Sequence, residues 1–258
     1  MVENKSFPGS GLRSNVTLAT SPFNRGSLFM KSTVAIIILG AGASTRMASP
    51  KQLVFYRGKT LLEHAICTAQ RADCGQVVVV LGAHAELITR SLNINRDPYC
   101  ADSGHNKKLN FGRNRTHFLH NSRWSEGQSN SIVLGVWAAL LTNSQAAVIM
   151  LCDQPWINAL DLKNLIEAQS RSPVGISAAT YAQTIGVPAC FSRSRFGELL
   201  QLKGDRGAKT LLTKYIDYIE RVAIPNAEMD IDTPADLRRL QDWWPEFQGR
   251  PNEISTTK

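Results

Sequence analysis

The sequence predicts a three-layer α/β/α fold, Rossmann-like, with a mainly parallel sheet. Three observations lead there. Short unbroken apolar runs, such as Val34–Leu39 and Val77–Leu81, read as strands buried on both faces. Segments of helical periodicity separate them, as expected of β-α-β units. The Gly-rich and acidic stretches fall directly after apolar runs, where parallel sheets bind their ligands.

Each element follows from its own pattern. Val34–Leu39 is the first strand, and a Gly-rich loop runs from Gly40 to Lys51. Residues 60–71 form a helix whose apolar face is Leu61, Leu62, Ala65, Ile66 and Ala69. Val77–Leu81 is the second buried strand, and residues 84–91 a short helix. The stretch 93–115, rich in Asn, Gly, Lys and Arg, breaks the pattern and reads as a basic surface insertion. A short strand over 116–120 and a helix over 129–141 follow, and then a third buried strand, 147–152, ending at Asp153. A helix over 160–169 precedes two strands, 174–180 and 186–191, that pair with each other. The last elements are a helix over 208–215, a strand over 219–224 and a helix over 233–243. The expected organisation is a disordered extension over 1–31 with Met30 as a candidate start, one domain over 32–244, and a flexible tail over 245–258.

Composition limits the function. The net charge of +8 is uneven: residues 1–31 carry +3, residues 101–123 carry +4, and the remainder +1. A fold that binds nucleic acid carries its basic face on the fold itself, so no nucleic-acid partner is expected. No apolar stretch approaches the roughly 18–20 residues of a membrane span, so no membrane partner is expected either. The five cysteines show no C-x-x-C pair and an odd count, which points to free thiols in a reducing compartment. With no apolar signal segment, the expected location is the cytoplasm. A monomer is expected.

The chemistry is concentrated in the first loop, L-G-A-G-A-S-T-R-M-x-x-P-K, Leu39 to Lys51. Small residues let its backbone approach a ligand and turn N–H groups toward phosphate oxygens. Arg46 offers a planar fork to phosphate and Lys51 a point charge. The spacing is neither the Walker A pattern nor the dinucleotide fingerprint. The bland alternative is a Gly-rich connection with two solvated bases.

This segment resembles the signature of the NTP-transferase family that contains the molybdenum cofactor cytidylyltransferases and guanylyltransferases. Gly40 stands where Ala is usual, and Ala48 where Gly is usual. If that position needs a positive φ, Ala48 costs about 1 kcal/mol or more. The resemblance runs from about Val34 to Leu240, outside the insertion. Trp124-Ser125-Glu126-Gly127-Gln128-Ser129-Asn130-Ser131 is similar to the segment that opens a helix near the base, with Gln128 in place of a common Met. Ser129 reads equally as a helix cap. Leu151-Cys152-Asp153-Gln154-Pro155 resembles the family's L-x-D-Q-P, Gly186-Val187-Pro188 its G-x-P, and Gly204-Asp205-Arg206-Gly207-Ala208 its G-D-x-G-A loop. Asp230-Ile231-Asp232-Thr233-Pro234-Ala235-Asp236 resembles its D-I-D-T-P-x-D; Thr233, Pro234 and Asp236 there also suit a plain helix start.

The resemblance implies a nucleotidyltransferase fold and a Mg²⁺-dependent reaction. An acceptor phosphate attacks the α-phosphorus of a nucleoside triphosphate and pyrophosphate leaves. Nucleotide binding is expected from Leu39, Gly40, Ala41, Gly42, Ser44, Arg46, Lys51, Gly127 and Ser131. Arg46, Lys51 and Asp153 are the expected catalytic residues. Metal ligands are expected at Asp153 and at Asp232 or Asp230, with Asp232 favoured; Mg²⁺ takes one or two carboxylates plus phosphate oxygens and water. The plain alternative for Asp153 is a turn before Pro155. Acceptor binding is expected from Gly186, Pro188, Asp205 and Arg206. A phosphate monoester is already anionic at neutral pH, so no general base is needed, and none of the five histidines stands as one. Ala41 sits where the family's cytidylyl and guanylyl branches differ, and its methyl group suits a pyrimidine. The expected partners are CTP, a molybdopterin-type acceptor and a client molybdoenzyme. Two alternatives stay open: transfer to another phosphorylated acceptor such as a sugar, alcohol or cofactor precursor, and a carrier that delivers the nucleotide cofactor without making it.

Overall fold

The computed structural model describes residues 34–47, 49–92 and 116–242. The expected extension over 1–31, the residue Ala48, the insertion over 93–115 and the tail over 245–258 lie outside the described residues.

Strand β1 (Val34–Gly40) is buried along its whole length and sits near the middle of a seven-stranded sheet. It lies between β4 (Gly75–Leu81) and β6 (Ala146–Leu151), parallel to both. Beyond β4 lies β5 (Thr116–His120), also parallel. Beyond β6 the sheet continues through β8 (Thr184–Ser192), β7 (Ile176–Tyr181) and β9 (Glu220–Ala223). Only β8 runs against its neighbours, because a tight turn at Ala182 and Gln183, both at positive φ, folds β7 back into it. A two-stranded ribbon, β2 (Phe55–Tyr56) and β3 (Lys59–Thr60), closes around Arg57 and Gly58.

Alternation along β1 builds both cores. Val34, Ile36 and Ile38 pack under α1 (Leu61–Ala72), α2 (Ala85–Ser91) and α4 (Ala159–Arg171). Ala35, Ile37 and Leu39 pack on the other face under α3 (Gln128–Leu141), α5 (Phe196–Leu199) and α6 (Lys209–Lys214). Period-two alternation on a fully covered strand sends side chains to both faces, which is why the run is apolar throughout. On α3, a Cβ at Gly135 would stand 2.4 Å from the Ile37 side chain, so the missing side chain lets the helix sit close on the sheet. Helix α1 starts with a capping box: Thr60 Oγ1 accepts from Glu63 N, and the Glu63 carboxylate accepts from Thr60 N at 2.7 Å. Helix α7 (Pro234–Asp242) starts in the same way, with Thr233 and Asp236 exchanging bonds.

The expected elements are present with ends shifted by one or two residues. The 3₁₀ turn at Lys51–Leu53, the β2–β3 ribbon and α5 are additions. Strand order reverses between β1 and β6: β4 and β5 extend to one side, and the later strands to the other. Such a switch point leaves a crevice beyond the strand ends.

Candidate active site

The crevice opens where β1 and β6 end side by side. Leu39 pairs with Leu151, and the next residue, Cys152, donates its N–H to Leu39 O at 3.3 Å. The Gly40–Lys51 loop and Asp153 therefore leave the sheet from neighbouring strands. Gln52 shapes that loop from beneath. Its side chain is buried, and its amide donates to Gly40 O at 2.8 Å and Gly42 O at 2.9 Å. Ser44, at φ 54°, accepts from Lys51 N at 3.0 Å and closes the loop on itself.

A third segment completes the crevice. Ile231 N donates to Asp153 O at 3.0 Å, and the Ile231 side chain is buried against Val54 and Leu61. This fixes Asp230 and Asp232 on either side of it. Lys51 Nζ donates to Asp232 Oδ1 at 2.8 Å and also to Asp153 Oδ2. Asp153 is buried, with a side chain 5% exposed, and its Oδ1 has no hydrogen-bond partner. Burial pulls the Lys51 ammonium down, but the charges and hydrogen bonds of Asp153 and Asp232 outweigh it and hold the group above the usual lysine range. Burial, reinforced by the Asp153 charge, pushes Asp230 up to about 6.

Two adjoining cavities occupy the crevice. The first, about 370 Å³, is lined by Leu39 to Ala43, Lys51, Gln52, Trp124, Ser125, Gly127, Gln128, Ser131, Leu151 to Asp153, and Asp205. The second, about 320 Å³, has an apolar wall of Leu39, Ile132, Ile149, Leu151, Ile185 and Val187; Tyr181, Thr184, Gly186, Gly207 and Lys209 also line it. Leu39, Gln128, Leu151 and Asp205 belong to both. The partition depends on a close backbone approach. Gly127, at φ 116°, sits so near Gly204 that a Cβ would fall 2.2 Å from its carbonyl carbon, and Ser129 N donates to Gly204 O.

The structure brings most of the expected residues together and sets several others outside the cavities. Leu39, Gly40, Ala41, Gly42, Lys51, Gly127, Ser131 and Asp153 line the first cavity, and Asp205 lines both. Ser44 shapes the loop and does not line either cavity. Arg46 lies on the rim, its side chain 74% exposed and its guanidinium 4.0 Å from Asp232. Gly186 lines the second cavity, but Pro188 is buried in β8 and Arg206 is exposed, and neither lines a cavity; Lys209 lines the second. Ser129 is not the cap of α3; that place belongs to Gly127. Ser131 accepts from Asn121 at 2.9 Å. Gln52, Asn121, Tyr181 and Lys209 were outside the sequence expectation; their roles are side-chain contacts across the fold and leave no spacing signal.

The fit to a divalent cation rests on Asp153. A buried carboxylate oxygen without a partner is costly unless a ligand completes it. Asp153 and Asp232 share a cation already, which is the donor chemistry that a hard dication takes together with phosphate oxygens. Among the described residues no group of three His, Cys, Asp or Glu side chains could hold a metal alone, so the substrate's phosphates would supply the remaining ligands.

A loop of small residues, a lysine and two aspartates thus meet beyond the strand ends of a mainly parallel sheet, an arrangement that suits a nucleotidyltransferase. Residues 36–219 match the MobA-like NTP transferase domain, and the chain belongs to that family. It is 29% identical over 217 residues to the nicotine blue oxidoreductase of Paenarthrobacter nicotinovorans, covering 79% of this chain and 94% of that protein. It is similar to the solved structure of Rv0371c from Mycobacterium tuberculosis H37Rv, with TM-score 0.64 and 26% identity, covering 81% of this chain and 98% of the other. Rv0371c has also been solved in complex with manganese, and at TM-score 0.61 and 26% identity that structure covers the same shares. The molybdopterin-guanine dinucleotide biosynthesis protein A of Archaeoglobus fulgidus shares the fold, with TM-score 0.54 and 17% identity over 81% of this chain and 97% of that one. No helix among the described residues is long and apolar enough to cross a membrane.

Proposed function

We propose that the protein transfers CMP from CTP to the phosphate of molybdenum-loaded molybdopterin and releases pyrophosphate, with Mg²⁺. The observation that carries this is the pair of adjoining cavities that meet at Leu39, Gln128, Leu151 and Asp205, the first of them beside Lys51 and Asp153. The triphosphate takes the first cavity. Backbone N–H groups of the Gly40–Lys51 loop face its phosphates, and Ala41 narrows the space left for the base. The acceptor takes the second cavity. Its isoleucine, leucine and valine side chains offer an apolar face to a flat ring, and Gln128, Tyr181, Thr184, Asp205 and Lys209 offer polar groups for the ring's edge and its phosphate. A pterin bearing a phosphate fits this lining.

In the reaction an oxygen of the acceptor phosphate forms a bond to the α-phosphorus. The bond from that phosphorus to the bridging oxygen breaks, and pyrophosphate leaves with the electron pair. The attacking oxygen is already ionised, so the chain's residues position and neutralise charge rather than accept a proton. Lys51 is held fully cationic and serves the phosphates, while Arg46 on the rim is placed to meet the outer ones. Asp153 and Asp232 would hold Mg²⁺, which supplies charge compensation for the phosphates when bound. The relative named as an oxidoreductase raises a redox use of the same crevice. A lysine paired with two aspartates beside a loop of small residues is what phosphate transfer with a dication asks for, which supports the transferase reading.

Incubation with molybdenum-loaded molybdopterin, Mg²⁺ and each of CTP, GTP, ATP and UTP, followed by mass spectrometry, tests the assignment. A cytosine dinucleotide is expected with CTP. A guanine dinucleotide instead would transfer the proposal to the guanylyl branch, and a product only with a phosphorylated sugar or alcohol would replace the acceptor.

A further inference from the structure

Lys51 stands between the two carboxylates that the proposed function gives to the metal. Its ammonium donates to Asp153 and to Asp232 at 2.8 Å, and its side chain is only 19% exposed. No other cation among the described residues makes an ion pair with Asp153, and Arg46 reaches Asp232 only at 4.0 Å. One ammonium offsets the charge of one of the two carboxylates. A dication placed on the same oxygens would face the ammonium at contact range, and like charges at that distance repel strongly in a partly buried site.

From this we infer that Lys51 is an internal placeholder for the divalent cation: the metal does not bind the protein tightly until a triphosphate draws Lys51 away. The inference rests on the assignment of Asp153 and Asp232 as metal ligands. The geometry supplies both ends of the exchange. Lys51 lines the first cavity beside the Gly40–Ala43 backbone, so the phosphates that would enter there lie within its reach. Its main chain is fixed by the Ser44 bond to Lys51 N and by the short turn Lys51–Leu53, so the flexible stem alone has to move. Asp153 Oδ1, which has no hydrogen-bond partner, would be available to hold the cation. The exchange would couple the two ligands: the nucleotide frees the carboxylates, and the metal then keeps Lys51 on the phosphates. It would also keep the buried carboxylates from collecting metal alone.

Mn²⁺ titration of the full chain, followed by electron paramagnetic resonance without nucleotide, tests this independently of turnover. Wild type is expected to bind weakly. Lys51→Met and Lys51→Ala, checked for folding by circular dichroism, are expected to bind Mn²⁺ roughly tenfold or more tightly than wild type, because one positive charge beside the carboxylates is gone. Lys51→Arg is expected to stay weak, and Asp153→Asn added to Lys51→Met to abolish the gain. A gain of affinity is not something that damage to the fold produces. Equal Mn²⁺ affinity in wild type and the neutral variants would overturn the inference, as would tight binding by wild type alone, which needs no variant to fold. A failed transfer assay with the gain in Mn²⁺ affinity intact would instead count against the proposed reaction.

Discussion

Among single residues, Lys51 and Asp153 carry the largest expectations. In the proposed reaction each would act on the phosphates or the metal in a site that is partly closed to water, where charge is worth most. Lys51→Ala and Asp153→Asn should each lower kcat by roughly 100-fold or more, with far smaller changes in KM, as read from steady-state kinetics. Unchanged kcat in either would remove that residue from the chemistry. Both residues were legible in the sequence, because each closes a motif directly after a buried strand. Asp232 was legible as one of two alternating aspartates, and the bond from Ile231 N to Asp153 O shows why the choice between them was hard. It pins the residue between them, and only the surrounding packing decides which side faces Lys51. Gln52 was not legible. It acts by two side-chain bonds to loop carbonyls, and no residue type at that position announces them. The directions of the arginines were not legible for a related reason. A motif gives the type of a side chain, whereas the turn geometry sets its direction, and it sends Arg46 to the rim and Arg206 outside.

At the scale of elements, two junctions support predictions. The start of α3 meets the 204–208 loop through Gly127 and Gly204. Gly127→Ala adds a Cβ at φ 116° and 2.2 Å from Gly204 C, so strain and overlap act together. Loss of about 1 kcal/mol or more is expected in urea unfolding, with a raised KM for the acceptor because Asp205 lines both cavities. Far from the crevice, Glu198 ties α5 to α6 through Lys214 at 2.6 Å, Arg195 at 2.8 Å and Tyr215. Burial raises its carboxyl, but those partners win and hold it near about 2. A folded pKa below the unfolded value of about 4.3 gives stability that is complete above that value and lost as pH falls toward 2. Glu198→Gln should therefore lower Tm at pH 7 and flatten the fall in Tm between about pH 4.5 and 2. An unchanged acid limb would mean that the cluster contributes nothing to folding. The strands and long helices were legible at this scale, since burial on one or two faces writes a period into the sequence. The β2–β3 ribbon and α5 were not, because two- and four-residue elements are too short to show one.

For the molecule as a whole, alternating strands and helices were enough to foresee a covered parallel sheet and a crevice beyond its strand ends. They were not enough to give the strand order, and it is the reversal between β1 and β6 that sets the first loop beside Asp153. The antiparallel β8 could be foreseen only as a pairing with β7; its insertion against β6 forms the wall of the second cavity. The two chambers thus arise from tertiary order rather than from any local pattern. They adjoin at Leu39, Gln128, Leu151 and Asp205, and the proposed function assigns the nucleotide to the one beside Lys51 and Asp153 and the acceptor to the other.

The most direct test is the rate of pyrophosphate release by wild type and by Asp153→Asn, each with CTP, Mg²⁺ and molybdenum-loaded molybdopterin. The account predicts release by wild type that depends on the acceptor, and near silence from Asp153→Asn. Equal release by the two proteins, or none from wild type with any of the four nucleotides, would contradict it.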